Sequence, residues 1–389
     1  MVKLEEVCEI QRGGSPRPIE KFITEAENGI NWIKIGDVAE GAKYITSTKE
    51  KIRNEGAARS RAVREGDFLL SNSMSFGRPY ILRTSGCIHD GWLVLRYDKN
   101  RLTEDYLYHV LGSGFVYAQF ENLAVGAVVK NLNSEVVRNV SIPLPPLSEQ
   151  RRIAAILDQA DALRAKRREA LAQLDELQQA IFIEMFGDPI TGRSKWPVGL
   201  LGTVCEKISD GTHHSPPIQK KGVPYITAKH LKTYGLDFFS DPWFISEKDH
   251  MQIFARCDPR PDDVLYIKDG ATTGIAAVNR YDFPFSMLSS LALLRPNKKL
   301  LNSWYLCLWL NHPKVKMEIL GAMAGAAIRR LTLAKIKAVE IPIPPMVLQR
   351  EFSSQIGHIR TLKEKSAASL SELDQLFSSL QHRVFRGEL

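Results

Sequence analysis

The sequence predicts a mixed α/β protein written twice, in the order globular unit, long helix, globular unit, long helix. Three observations predict it. Residues 142–150 read IPLPPLSEQ and residues 341–349 read IPIPPMVLQ, so one Pro-rich mark occurs twice in 389 residues. Aligning the marks gives an offset of 342 minus 143, or 199, and matches at that offset run far into both flanks. After each mark comes a stretch without proline, 148–186 and 347–385, whose apolar or small residues recur at alternating spacings of four and three, the pattern of a coiled-coil seam.

The first globular unit spans 1–141. Strand-length apolar runs such as FLL (68–70) and WLVLRY (92–97) alternate with Gly, Ser, Asn and Asp loops, and TEDYLYHVLGS has a helical pattern. The second unit, 190–340, repeats the plan with SLALLR (290–295) and NSWYLCLWLNH. Matched pairs include Leu95/Arg96 with Leu294/Arg295, Tyr106/Leu107 with Tyr305/Leu306, and Leu132 with Leu331; near the start the offset slips to 197, pairing VCE at Cys8 with VCE at Cys205 and Gly77 with Gly274. A period this long excludes a solenoid, whose repeats run to about 20–50 residues, and implies a pseudo-two-fold molecule.

The helical segments, 142–189 and 341–389 with their marks, carry the seams Ile156, Ala160, Leu163, Ala170, Leu174, Leu177, Ile181 and Ile359, Leu362, Ser369, Leu373, Leu376, Leu380. Both are interrupted at one register, by Arg167 and Ser366. Each helix spans roughly 58 Å at 1.5 Å per residue. Matching seams of that length predict that the helices pack on each other rather than only on their own units. Pro143, Pro145 and Pro146, like Pro342, Pro344 and Pro345, hold the chain extended, remove donors and forbid helix until the next residues, so each mark ends a unit and aims the helix out of it.

Composition bounds the function. The five cysteines are far apart, with no CxxC pair, which fits small core residues in a reducing cytoplasm. No apolar stretch reaches the length of a membrane span, and MVKLEEVCEI lacks the regions of a signal peptide; the expectation is a soluble cytoplasmic protein. A formal charge of +8 and a pI of about 9.1 suggest an acidic partner such as nucleic acid.

Catalytic motifs are missing. There is no GxxxxGK[ST] loop, no GxGxxG after a strand, no GxSxG elbow and no HExxH helix. HSPPI lacks the flanking Asn or Asp and the aromatic that an amino-methyltransferase needs, and PDDVLYIKDG puts Tyr266 where a nuclease would need its second acid. His213 and His214 are adjacent and in extended chain point to opposite sides, which suits a loop better than a shared metal. These residues describe a binder.

With PLPPLSEQRRIAAILDQAD, a helix ending MFGDP, KNLN at 130–133 and the second IPIPP, nearly the whole chain resembles the specificity subunit of Type I restriction and modification systems. The second mark departs in lacking a Glu before Gln349, and VVKNLN and AIRRLT stand where a Gln-containing version is common. The resemblance implies two homologous target recognition domains, each reading one half of a bipartite, asymmetric sequence in double-stranded DNA. It implies long helices acting as ruler and as docking surface for two adenine-methyltransferase subunits, which motor and nuclease subunits would join. Catalysis would belong to those partners, so S-adenosylmethionine, ATP and Mg are expected there and no cofactor or metal in this chain. Antiparallel helices would put the units at opposite ends of a rod spanning roughly 17 base pairs at about 3.4 Å each.

Polar Gly-rich loops at matched places are the candidate DNA-binding segments, because loops can change without unfolding their scaffold. They are RGGSPRP with Arg12, Ser15 and Arg17; SNSMSFGR with Ser71, Asn72, Ser73 and Arg78; DGTHHSPP with Thr212, His213 and His214; and KDGATTG with Lys268, Asp269, Thr272 and Thr273. Their amides, hydroxyls and cations can pair with base edges or phosphates. Lys130, Asn131, Arg329 and Arg330 precede the last strand of each unit and suit phosphate contact. The run RAKRR at 164–168 reads as a solvated or partner-binding helix face. Two other readings stay open: a non-DNA helical scaffold, and a specificity subunit serving a stand-alone adenine methylation system or carried as a silent cassette.

Overall fold

A computed structural model describes residues 1–38, 41–72, 77–123, 132–192, 195–321 and 330–388. The chain divides into two compact units, Met1–Arg168 with Ser369–Leu389, and Glu169–Ala368. Both long helices, Leu147–Phe186 and Met346–Phe385, are cut by that division, so each unit contains the opening half of one helix and the closing half of the other.

In the first unit a central sheet orders its strands Cys8–Arg12, Trp92–Tyr97, Phe68–Ser71, Pro79–Leu82, Tyr44–Ile45. The first three pairings are antiparallel and the last is parallel. The corresponding sheet of the second unit runs Cys205–Asp210, Leu291–Pro296, Val264–Ile267, Ala276–Val278, antiparallel throughout. Register repeats with order: Leu95 lies opposite Phe68, and Leu294 opposite Val264.

Both faces of each central sheet are buried, which is why these strands read as unbroken apolar runs. Alternation at period two divides their side chains between two cores. Phe68, Leu70, Leu93 and Leu95 face a helical layer with Tyr106, Leu107 and Val110, to which the long helices add Ile153, Leu157, Val384 and Phe385. Leu69, Trp92 and Val94 face Ile33 and Ile88 of a second, five-stranded sheet. In the second unit Val264, Tyr266 and Leu294 pack with Phe182, Phe186, Tyr305 and Phe352, while Leu265, Ile267 and Leu293 pack with Ile226 and Met287.

The Pro marks have a specific construction. The strand Ser141–Ile142 pairs with Val2–Lys3, and Glu340–Pro342 with Val198–Leu200. Tyr106 Oη donates to the carbonyl of Pro143 at 2.8 Å, and Tyr305 Oη to that of Pro342 at 3.0 Å. One turn into the helix, Gln150 is fully buried. Its Nε2 donates to the carbonyls of Arg101 (2.8 Å) and Pro145 (2.9 Å), and its Oε1 accepts from the Thr103 N–H at 2.9 Å. Gln349 repeats all three bonds, to Leu300 O (2.9 Å), Pro344 O (2.7 Å) and Asn302 N (2.8 Å). Among the described residues Glu149, missing from the second mark, forms only an exposed pair with Arg152.

Within each unit the two helix halves are joined by a cation and an acid at matched positions. Arg164 Nε lies 2.6 Å from Asp374 Oδ1 with its guanidinium 4.2 Å above the Phe377 ring, and Lys363 pairs with Asp175 and donates to Gln178 Oε1 at 3.0 Å. The seam expected from spacing is corrected at four places: Leu163, Leu177, Leu362 and Leu376 are exposed. The neighbouring Arg164 and Lys363 take the inward face, because their long aliphatic stems fill it while their charged heads reach an acid. Ile153, Leu157, Ile356 and Ile359 are buried. No described helix is long and apolar enough to cross a membrane.

Candidate nucleic-acid interface

In both units the first strand of the central sheet ends in a glycine pressed against another loop. A Cβ on Gly13 would stand 2.0 Å from the His89 carbonyl oxygen, and one on Gly211 would stand 1.9 Å from that of Met287. These contacts bring the loop after the first strand against the turn before the strand Trp92–Tyr97 or Leu291–Pro296. The loop after the third strand closes the group: Asn72 N–H donates to Gly91 O (3.0 Å) and Lys268 N–H to Ser290 O (2.9 Å), while Leu132 N–H donates to Asn72 O (3.0 Å) and Leu331 N–H to Lys268 O (2.7 Å). These two main-chain bonds are therefore the same in both units.

The side chains on this common frame differ. In the first unit they converge on Asp90, which sequence reasoning missed. Ser15 Oγ donates to its Oδ1 at 2.7 Å and Arg17 Nη2 lies 3.3 Å from its Oδ2. Its main-chain carbonyl accepts from Asn72 Nδ2 (2.7 Å) and Arg12 Nε (3.3 Å). The Ser15 hydroxyl, more than the neighbouring charges, holds the Asp90 carboxyl below its ordinary range. Four of the candidate residues, Arg12, Ser15, Arg17 and Asn72, are thus brought together, with Arg12 and Arg17 exposed.

In the second unit Asp210 stands where the first has Arg12, Lys268 where it has Asn72, and Ser289 where it has Asp90, by the paired strand registers. The hub is now Asp210, buried with Lys268 Nζ 3.3 Å away. His213 Nε2 approaches the same carboxylate at 3.4 Å, and Arg256 pairs with it through Nη2. Arg256 closes the helix Glu247–Arg256, whose start is capped by Ser246 accepting from the Asp249 N–H. Neither Asp210 nor Arg256 stands out in the sequence, since each lies at the end of an ordinary strand or helix pattern.

The remaining candidates scatter. Ser71 is buried and its Oγ accepts from the Arg78 N–H at 3.2 Å. Arg78 is half-buried, its guanidinium 5.6 Å from the Tyr80 ring, and it lines a cleft of about 710 Å³ with Arg164 and Arg168. Thr212 Oγ1 and the His214 main chain bond each other in a tight turn, leaving the His214 side chain exposed. Asp269 pairs with Arg330 at 3.6 Å and bridges to it through the main chain. Thr273 is buried with Oγ1 on the Gly270 carbonyl, and Thr272 is exposed. Ser73, Lys130, Asn131 and Arg329 lie outside the described residues. Among the described residues no group of three or more His, Cys, Asp or Glu could hold a metal ion, and all five cysteines are buried, with burial pushing Cys8, Cys205 and Cys307 up to about 12.

Comparison with known proteins places this duplicated frame in a family. The model described as Type I restriction modification DNA specificity domain matches twice, over residues 1–174 and 193–367. The putative type I restriction enzyme MjaX specificity subunit of Methanocaldococcus jannaschii is 23% identical over 430 residues, covering 100% of this chain and 96% of that protein. The type I restriction enzyme EcoBI specificity subunit of Escherichia coli is 22% identical, covering 100% and 85%. The fold is similar to that of the S subunit of a type I restriction-modification system from M. genitalium, at TM-score 0.55 and 15% identity over 99% of this chain and 95% of that one. A chain solved in work on assembly and conformational transition of the type I R-M system gives TM-score 0.53 at 23% identity, covering 100% and 97%.

Proposed function

The chain belongs to the Type I restriction modification DNA specificity domain family, and on that premise we propose that it is the DNA-recognition subunit of a restriction-modification complex in which each globular unit reads one half of a bipartite target. The observation that carries this reading is the common main-chain frame with unlike side chains: Arg12, Asn72 and Asp90 in one unit, Asp210, Lys268 and Ser289 in the other. Two readers built on one plan but bearing different donors and acceptors suit two different half-sites. Arg12, Ser15, Arg17, Thr212, His213, His214, Thr272 and Arg330 form the outer contact set; Ser73, Lys130, Asn131 and Arg329 are further DNA contacts in this reading. Ser71, Asn72, Arg78, Lys268, Asp269 and Thr273 support it from within or behind.

In this reading the long helices form an antiparallel coiled coil that relates the units by a pseudo-dyad and sets the half-site spacing. The matched pairs Arg164 with Asp374 and Lys363 with Asp175 support it, because each joins the opening half of one helix to the closing half of the other. Leu163, Leu177, Leu362 and Leu376, exposed at matched positions, supply apolar surface for docking two adenine-methyltransferase subunits. Chemistry belongs to those subunits and to motor and nuclease subunits, which bring S-adenosylmethionine, ATP and Mg; this chain contributes recognition in the cytoplasm.

Mapping methylated adenines in cells that carry this subunit with its methyltransferase tests the reading, with two half-sites at fixed spacing expected. Inserting four helix-forming residues near Ala170 lengthens the first helix by about 6 Å. That is near one helical turn and shifts the apolar face by only about 40°. The expected map has the same half-sites and a spacer longer by roughly one or two base pairs. Altered half-sites at constant spacing would show that the helices read bases instead.

A further inference from the structure

Asp210 brings three basic side chains together from three separate segments, and they are not equivalent. Lys268 is as buried as the carboxylate it faces, so the internal charge is already matched inside the unit, as burial of an ion requires. Arg256 is not needed for that match. Its side chain is 56% exposed, and it reaches the carboxylate only through Nη2. Among the described residues, its Nε and Nη1 have no hydrogen-bond partner. His213, 46% exposed, stands 3.4 Å from the same Nη2 and limits the guanidinium on that flank.

A planar fork tied through one nitrogen to a buried acid, with Nε and Nη1 unbonded among the described residues, has lost part of its freedom before it binds anything. We propose that Arg256, aimed by Asp210, reads a guanine in the half-site of the second unit through the O6 and N7 acceptors of the major-groove edge. Guanine presents two acceptors side by side, and a held guanidinium matches them bidentately, whereas a phosphate is met as well by an unrestrained cation. Arg256 is also peculiar to the second unit. It ends a helix of 10 residues, Glu247–Arg256, where the first unit has the four residues Asn54–Ala57. Asp210 is then a positioning residue for specificity, and the first unit, with Asp90 holding Arg17, reads by other groups.

The inference rests on the proposed function, and one experiment separates the two. Adenine methylation is mapped in cells carrying the complete complex with the wild-type chain, with Arg256→Ala, Arg256→Lys or Asp210→Asn, and with residues 1–141 exchanged for those of a relative. The exchange identifies the half-site of the second unit as the one that stays. That half-site is expected to contain a G·C pair at which Arg256→Ala and Arg256→Lys raise methylation of wrong bases about tenfold or more. The other half-site is expected to stay unchanged, and Asp210→Asn to relax the same position less. A second half-site without a G·C pair overturns the inference, as does an Arg256→Ala map identical to wild type. So does a loss of methylation uniform across sequences, the signature of a phosphate contact. Because Arg256 is exposed, its variants decide the matter even where Asp210→Asn fails to fold. A wild-type map without two half-sites would instead sink the function itself.

Discussion

The two globular units agree in the main-chain bonds that tie their strand-end loops and disagree in the polar side chains those loops carry. Asn72 and Lys268 make the same main-chain bonds to Gly91 and Ser290 and receive the same bonds from Leu132 and Leu331, yet one is a neutral amide and the other a cation facing a carboxylate. Arg12 and Asp210 occupy one place in the strand register with opposite charge. Burial explains the agreement: a main-chain group out of water must be paired whichever residue carries it. Buried Asp210 and Lys268 answer to each other, and the exposed side chains around them, which pair no main-chain group of the frame, are free to diverge. What the two copies share is thus a way of holding loops, and what separates them is what the loops say.

The comparison is most exposed at the pressed glycines. Gly211→Ala drives a methyl into the Met287 carbonyl and Gly13→Ala into that of His89, so each is expected to cost about 3 kcal/mol or more, read as a lower urea midpoint. Tolerance at one site and collapse at the other would show that the frames only look alike.

Next in size are the buried glutamines. Gln150→Ala and Gln349→Ala each remove three hydrogen bonds and leave main-chain groups unpaired, an expected loss of about 2–3 kcal/mol apiece, equal in the two units within measurement. Glu149→Ala, its carboxylate held low by Arg152 on the open surface, is expected to leave the melting temperature unchanged. A larger effect from Glu149 than from Gln150 would reverse the assignment of what matters in the Pro mark.

The smallest effect sharpens the contrast in pH response. His109 is buried against Asp158 at 2.9 Å, where the second unit has Leu308 at the same offset. Burial lowers the His109 pKa, with the Asp158 hydrogen bond opposing it only in part and Lys43 adding to the lowering. The unfolded chain therefore takes a proton near pH 6.5 that the folded chain resists. Stability from this site is complete above that pH and is lost as pH falls through it. His109→Leu is expected to cost about 1 kcal/mol at pH 8 through the lost hydrogen bond and to flatten the fall in melting temperature between pH 7 and 5. The remaining slope on that unit belongs to His89, lowered chiefly by burial. An unchanged slope would assign the pH response elsewhere.

Much of the frame was legible because periodicity and punctuation report burial directly. The Pro marks, the matched Tyr106 and Tyr305, and the repeated Gln150 and Gln349 all came from alignment of the chain with itself, and all proved to be parts of one joint. The helix seam was misread at Leu163, Leu177, Leu362 and Leu376 because a count of apolar residues cannot foresee Arg164 and Lys363 burying their stems. Loop composition singled out Arg12, Ser15, Arg17, His213 and Lys268, which gather around Asp90 or Asp210. It could not single out Asp90, Asp210 or Arg256, which meet residues 18 to 78 positions away. Nor could it tell exposed Thr272 from buried Thr273.

The glutamine joint has one further consequence. Gln150 hydrogen-bonds Arg101, Pro145 and Thr103 through their carbonyl or amide groups, and Gln349 does the same at Leu300, Pro344 and Asn302. A fastening that grips the peptide backbone is blind to side-chain mutation in the piece it fastens. Genetic exchange at that point could hand the helix a foreign domain, and the glutamine would find the same three atoms waiting. A lineage carrying such a joint can change its vocabulary by recombination, without first evolving a new place to cut and splice.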